Sequence, residues 1–134
     1  MDHEKARELY IEMESCDKQI KAVQEQVQRL DQQVMELESL AEAIDELSLK
    51  KTGEEILVPI SSGIFLAADI KDSKSLFVNV GSDVIVKRTM KQSADMVTGQ
   101  QKEIESYREE LSTQLQILIS KATQIQEKMR KLVE

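Results

Sequence analysis

Two uninterrupted heptad patterns constrain the fold of this chain more than any other feature. In the first, apolar residues recur at alternating steps of four and three, through Leu9, Met13, Cys16, Ile20, Val23, Val27, Leu30, Val34, Leu37, Ala41 and Ile44. The second keeps the same steps through Met90, Ala94, Val97, Gln101, Ile104, Arg108, Leu111, Leu115, Leu118, Ala122, Ile125, Met129 and Leu132. This alternation is typical of a coiled-coil seam. Each run predicts a helix of about 40–45 residues, or roughly 60–70 Å.

The residues between the two runs are short, apolar and β-branched, which is typical of strands. Residues 55–60 and 64–70 flank a Ser-Ser-Gly turn, and residues 76–80 and 84–87 flank a Gly-Ser-Asp turn. They predict two β-hairpins. A Thr and a Gln three residues apart, Thr89 and Gln92, predict a capping box at the start of the second helix.

Two helical runs of nearly equal length around a short insert predict an antiparallel pair with the hairpins at the bend. One register pairs Leu9 with Met129 and Cys16 with Ala122, so that each seam residue meets one from the other helix. A shift by one heptad is equally compatible with the pattern. The predicted fold class is α+β: a long antiparallel two-helix coiled coil with two inserted hairpins.

Composition excludes several classes of function. A formal net charge of −7 argues against a nucleic-acid partner, whose phosphates favour clustered Lys and Arg. No apolar run approaches the roughly 20 residues of a membrane span, and no signal peptide is evident. Cys16, the single cysteine, cannot form an internal disulfide, so we expect a reducing, cytoplasmic setting.

No catalytic or cofactor-binding constellation is evident. His3 lies near the N-terminus without a partner at metal-ligand spacing, and Cys16 occupies a seam position. Gly81-Ser82-Asp83 is a turn, and no phosphate-binding loop occurs. We therefore expect no catalytic residues, no metal and no cofactor, and we predict that the chain is not an enzyme.

The hairpin segment is too small to be stable alone, because two short hairpins bury little apolar surface and leave strand edges unpaired. We expect hairpins from several subunits to join into a shared, closed β structure from which the helices radiate. The apolar residues predicted to make this assembly are Ile56, Val58, Ile60, Ile64, Leu66, Ile70, Leu76, Val78, Val80, Val84 and Val86.

The whole chain resembles the α class of the prefoldin family, whose members carry two hairpins where the β class has one. The most specific stretches are residues 58–65, the Lys71-Asp72-Ser73 link and residues 78–86. The resemblance implies a single domain, 1–134, made of an N-terminal helix (1–52), the hairpins (53–88) and a C-terminal helix (89–134). It implies a hetero-hexamer of two α and four β subunits, whose hairpins join into an oligomeric β-barrel hub. It also implies an ATP-independent chaperone that holds unfolded or nascent proteins and passes them to a group II chaperonin.

The end of the coiled coil that carries both chain termini is the predicted client-binding site, because coiled coils fray at their ends. The tip residues, as we call them, are Leu9, Tyr10, Ile11, Met13, Ile125, Met129, Leu132 and Val133. Leu9, Met13, Ile125 and Met129 are also seam positions, for which a structural role is the competing interpretation. Two other functions stay open: a tethering coiled coil without chaperone activity, and an accessory arm that presents substrate to an enzyme.

Overall fold

The structure, a computed structural model, describes residues 3–133. Two long helices precede and follow four short strands in the sequence. The order is α1 (His3–Ser48), β1 (Glu55–Ser61), β2 (Ile64–Asp69), β3 (Ser75–Asn79), β4 (Ile85–Thr89) and α2 (Met90–Val133). Each strand pairs with its neighbour in an antiparallel two-stranded sheet, β1 with β2 and β3 with β4. The predicted fold class, two coiled-coil helices with two hairpins between them, is confirmed.

The chain divides into two compact units. The hairpin unit comprises residues 35–102, and the terminal unit is formed by the segment up to Val34 together with the segment from Glu103. Both helices contribute to both units.

Burial follows the heptad pattern closely. Every predicted seam residue is buried or half-buried except Arg108, whose side chain remains 50% exposed. The most deeply buried apolar residues are Cys16, Leu30 and Ile44 on α1 and Val97, Leu111 and Ile125 on α2. In each unit, the core between the two helices is therefore the seam and not a globular interior.

Two contacts between the helices report the antiparallel register in the terminal unit. The Cys16 thiol donates a hydrogen bond to the carbonyl oxygen of Leu118 at 3.3 Å, one helical turn before the predicted partner Ala122. Arg108 Nε lies 2.6 Å from Asp31 Oδ1, and Arg108 is next in sequence to the residue that the predicted register places opposite Asp31. A shift by one heptad would move Arg108 by about 10 Å along α1. The ion pair therefore supports the register predicted from the seam.

Helix α1 ends at Ser48, four residues before the predicted boundary at 52. The chain tightens there, because the amides of Leu49 and Lys50 bond to carbonyls three residues back. Gly53, with φ of 92°, belongs to the turn that leads into the first hairpin, and its amide donates to the Ile70 carbonyl at 2.7 Å. The cap at the start of α2 is as predicted: Thr89 and Gln92 exchange backbone-to-side-chain hydrogen bonds of 3.0 Å each.

The hairpins close through turns that need left-handed backbone. In the first, Ser62 and Gly63 have φ of 31° and 82°, the combination of a type I′ turn, whose twist suits a hairpin. In the second, Gly81, Ser82 and Asp83 all have positive φ, and the Asn79 side chain accepts a hydrogen bond from the Gly81 amide at 2.9 Å. Both turns lie where the sequence predicted them.

Candidate functional sites

The tip residues divide into exposed and seam-bound groups. Tyr10, Ile11 and Val133 are 62%, 58% and 78% exposed, because they lie between or beyond the seam positions of their helices. Leu9, Met13, Met129 and Leu132 are half-buried in the seam. Ile125 is only 3% exposed. In the free chain, therefore, three of the eight present most of their apolar surface to solvent.

Two of the half-buried tip residues, Leu9 and Leu132, line an open groove between the helices. The groove has a volume of about 420 Å³, and its rim carries charges of both signs. The charged residues are Lys5, Glu8, Glu12, Lys128 and Lys131. We call it the terminal groove. It can accept an apolar side chain beside the two leucines and charged or polar groups beside its charged residues.

The hairpins carry the second predicted surface. The strand register puts Ile56 and Val58 opposite Ala68 and Leu66, so these four side chains share one face of the first hairpin. In the second hairpin, Val78 lies opposite Val86. Five of the eleven predicted assembly residues are half-buried; the six exposed ones are Val58, Ile60, Ile64, Leu66, Val80 and Val84.

The opposite faces of the hairpins also expose apolar residues, which are not among the predicted assembly residues. Leu57 and Phe65 are 64% and 56% exposed on the first hairpin, and Phe77 and Ile85 are 72% and 65% exposed on the second. The missed signal was the lack of polar alternation: residues 56–60 and 64–68 contain no charged side chain on either face. Continuous apolar strands are typical of sheets that are covered on both sides.

A polar cluster orders the link between the hairpins. Asp72 accepts hydrogen bonds from the Ser75 hydroxyl at 2.5 Å and the Lys74 amide at 2.9 Å, and the Lys87 ammonium lies 3.4 Å away. The Ser75 hydroxyl, followed by the Lys74 amide and the Lys87 charge, lowers the pKa of Asp72 to about 2. This carboxylate therefore connects the link to strand β4, which carries Lys87.

Residues 3–133 offer little for other chemistry. No three His, Cys, Asp or Glu side chains among them are grouped to hold a metal ion. Cys16 is buried and bonded to a carbonyl, as its seam position predicted. In the described part of the chain, neither helix is apolar enough over a sufficient length to cross a membrane.

Comparison with known proteins agrees with this architecture. The family model described as prefoldin subunit matches residues 16–134. The prefoldin subunit alpha of Archaeoglobus fulgidus is 30% identical over 117 residues, covering 82% of this chain and 85% of that protein. The prefoldin subunit alpha of Methanococcus vannielii is 26% identical over 129 residues, covering 96% and 86%. A filamentous prefoldin from Methanocaldococcus jannaschii has the same fold, with a TM-score of 0.74 at 18% identity, over 84% of this chain and 93% of that one.

Fold and surfaces together define a class of protein in which paired coiled-coil helices carry two apolar β-hairpins. The chain belongs to the prefoldin family, and its two hairpins and its relatives place it in the α class. Membership gives it a chaperone-type role, and prefoldin subunits assemble into oligomeric complexes with one another. A chaperone-type role fits the prediction that this chain is not an enzyme.

Proposed function

We propose that this chain is a subunit of an ATP-independent holding chaperone, which binds unfolded or nascent polypeptides at its tip residues and delivers them to a group II chaperonin. The observation that carries the proposal is the exposure of Tyr10, Ile11 and Val133 in the terminal unit, beside the partly open seam residues Leu9 and Leu132. Exposed apolar side chains on a charged helix pair suit clients that share no sequence. The half-buried Met13 and Met129 add flexible side chains that adapt to different partners.

The working form in this proposal is a cytoplasmic hexamer of two α-class and four β-class subunits, to which the chain contributes one domain of 134 residues. Its support is the hairpin unit, where more than half of the exposed large apolar residues between 3 and 133 are found. Such strands are stable in water only when other strands cover them. Weak binding at each tip then adds up, because several tips act on one client at a high effective concentration.

The tethering function keeps one observation in its favour. The terminal groove is rimmed by charges of both signs, which suits a single partner with complementary charges. A holding chaperone protects many unrelated proteins, whereas a tether protects none.

The test is an aggregation assay without nucleotide on several unrelated denatured proteins. The key variant replaces Tyr10, Ile11 and Val133 with Gln; the matched control replaces Met35 and Leu40, which are 61% and 45% exposed on α1 in the hairpin unit. We expect the wild-type chain and the control to suppress aggregation. The tip variant should bind client at least roughly ten-fold more weakly, because three apolar contacts are lost. Equal protection by tip variant and control contradicts client binding at the tip, and no protection by the wild type contradicts the chaperone.

A further inference from the structure

A second groove lies further along the helix pair of the terminal unit. It has a volume of about 430 Å³, close to that of the terminal groove. It is lined by Gln19, Ala22, Val23, Gln114, Ile117 and Leu118. None of these residues is charged. We call it the inner groove.

The inner groove is the terminal groove displaced by two heptads on both helices. Seam residues Val23 and Leu118 stand fourteen positions from Leu9 and Leu132, so the two grooves open on the same side of the helix pair. Four of the charged rim positions have uncharged counterparts: Gln19 for Lys5, Ala22 for Glu8, Gln114 for Lys128, and Ile117 for Lys131.

The absence of charge is local to this level of the coiled coil. Residues 111–120 of α2 form ten consecutive uncharged positions in a chain in which 32% of residues are charged. One heptad towards the termini, the equivalent positions include Glu12 and Lys121, and one heptad the other way they include Arg29 and Glu110. Solvated coiled-coil surfaces are usually charged at such positions.

Ile117 gives the inner groove an apolar wall. It lies off the seam, and its side chain is 63% exposed. A further groove of about 400 Å³ runs along its other side, lined largely by uncharged polar residues. An apolar side chain that enters the inner groove is removed from water without desolvating a charged lining residue, which lowers the electrostatic cost of its burial.

The spacing of the two grooves suits a single extended polypeptide. Fourteen helical residues correspond to about 21 Å along the helix pair. An extended chain covers that distance in about six residues, at roughly 3.3 Å each. Gln19 and Gln114 at the inner groove carry amide groups, which can bond to the peptide groups of such a segment.

We propose that the inner groove is a second client subsite, which binds an uncharged apolar segment of the same unfolded chain whose neighbouring residues occupy the terminal groove. This inference rests on the proposed holding function and specifies which client segments are preferred. Segments with two apolar clusters about six residues apart bind best, and the cluster at the inner groove carries no charge.

The test uses fluorescently labelled synthetic peptides and the full chain in its assembled form. One uncharged peptide carries two Leu-Ile-Leu clusters about six residues apart, a second carries one cluster, and a third has Asp at the centre of its second cluster. The variant is Ile117→Gln. The matched control is Ile119→Gln, because Ile119 is 47% exposed on the same helix but lines neither of the grooves beside Ile117.

We expect the two-cluster peptide to bind wild type about five-fold more tightly than either other peptide, the contribution of one partly buried apolar side chain. Ile117→Gln should remove this difference and leave single-cluster binding unchanged, and Ile119→Gln should change neither. Equal binding of the three peptides to wild type, or equal effects of the two substitutions, overturns the inner subsite. A change in oligomer mass caused by Ile117→Gln assigns the groove to subunit packing and also overturns it. Failure of the holding function itself is recognised separately, as wild type that does not suppress client aggregation.

Discussion

Arg108 is the one seam position on which the heptad pattern and the structure differ. The spacing predicts a side chain in the seam, but Arg108 Nε pairs with Asp31 Oδ1 of α1 at 2.6 Å and both side chains stay about half exposed. An ion pair at this exposure contributes little to stability. Its value lies in the register, because a shift by one heptad separates the two charges.

Replacing this arginine with an apolar residue tests how little the ion pair contributes to stability. We expect Arg108→Leu to raise the free energy of unfolding by about 1 kcal/mol, since a leucine at this position buries apolar surface in the seam. Arg130→Leu is the control, because Arg130 lies off the seam and pairs with Glu127 of its own helix. Urea unfolding followed by circular dichroism measures both. Destabilisation by Arg108→Leu, beyond that of the control, contradicts this account.

Asp72 makes hairpin stability depend on pH in a defined direction. Hydrogen bonds from the Ser75 hydroxyl and the Lys74 amide lower its pKa from 3.8 to about 2 in the folded chain. A depressed pKa means that the stabilisation is complete above the unfolded-state value and is lost as the pH falls through the folded-state value. The window is therefore between about pH 4 and pH 2.

The comparison of wild type with Asp72→Asn isolates this carboxylate from all the others that titrate in the same range. We expect wild type to be the more stable at about pH 6, with the difference nearly constant down to about pH 4, mostly lost near pH 2 and absent below it. Urea midpoints measured across this range report it. Asp69→Asn, which removes an exposed carboxylate from the end of β2, is the control for the loss of one negative charge from the hairpins. A difference that grows as the pH falls contradicts the assignment.

At the scale of the elements, the capping box tests how the β segment passes into α2. The Thr89 hydroxyl accepts a hydrogen bond from the Gln92 amide, so Thr89→Ala should cost about 1 kcal/mol of stability. Thr113→Ala makes the same change in the middle of the helix, where the hydroxyl bonds to the Glu109 carbonyl. We expect this control to be neutral or slightly stabilising in thermal unfolding, because alanine is the better helix former. Equal losses from both substitutions contradict a specific capping role.

The helices were predictable because a seam repeats its signal through more than ten positions on each helix. The strands and their turns were also predictable, since the Ser-Ser-Gly and Gly-Ser-Asp turns punctuate short apolar runs. The ends of individual elements were less predictable. Helix α1 ends at Ser48, where the backbone tightens locally without a signal from any residue type. The inner groove escaped prediction for another reason. It depends on which off-seam residues of two helices come together, and Ile117 alone in sequence is an ordinary surface residue.

At the scale of the whole molecule, the hairpins set the limit on what this chain can do alone. Each exposes apolar side chains on both faces, including Leu57 and Phe65 on the face of the first hairpin opposite Val58 and Leu66. A hairpin that joined a sheet with one solvated face would leave half of this surface in water. Assembly that covers both faces, as in the interior and at the contacts of a β-barrel hub, removes it.

The apolar residues on this second face of the first hairpin therefore provide a direct test of assembly. We expect the wild-type chain to form an oligomer, alone or on addition of a β-class subunit. Leu57→Ser with Phe65→Ser should lower the mass measured by light scattering, because contact between subunits then buries less apolar surface. Helix content should persist, since neither residue belongs to the seam that holds α1 and α2. The control, Met35→Gln with Leu40→Gln, removes two exposed apolar residues of a helix and should leave the mass unchanged. A wild-type chain that stays a folded monomer with or without a β-class subunit contradicts the argument, and so does a hairpin variant that assembles as the control does.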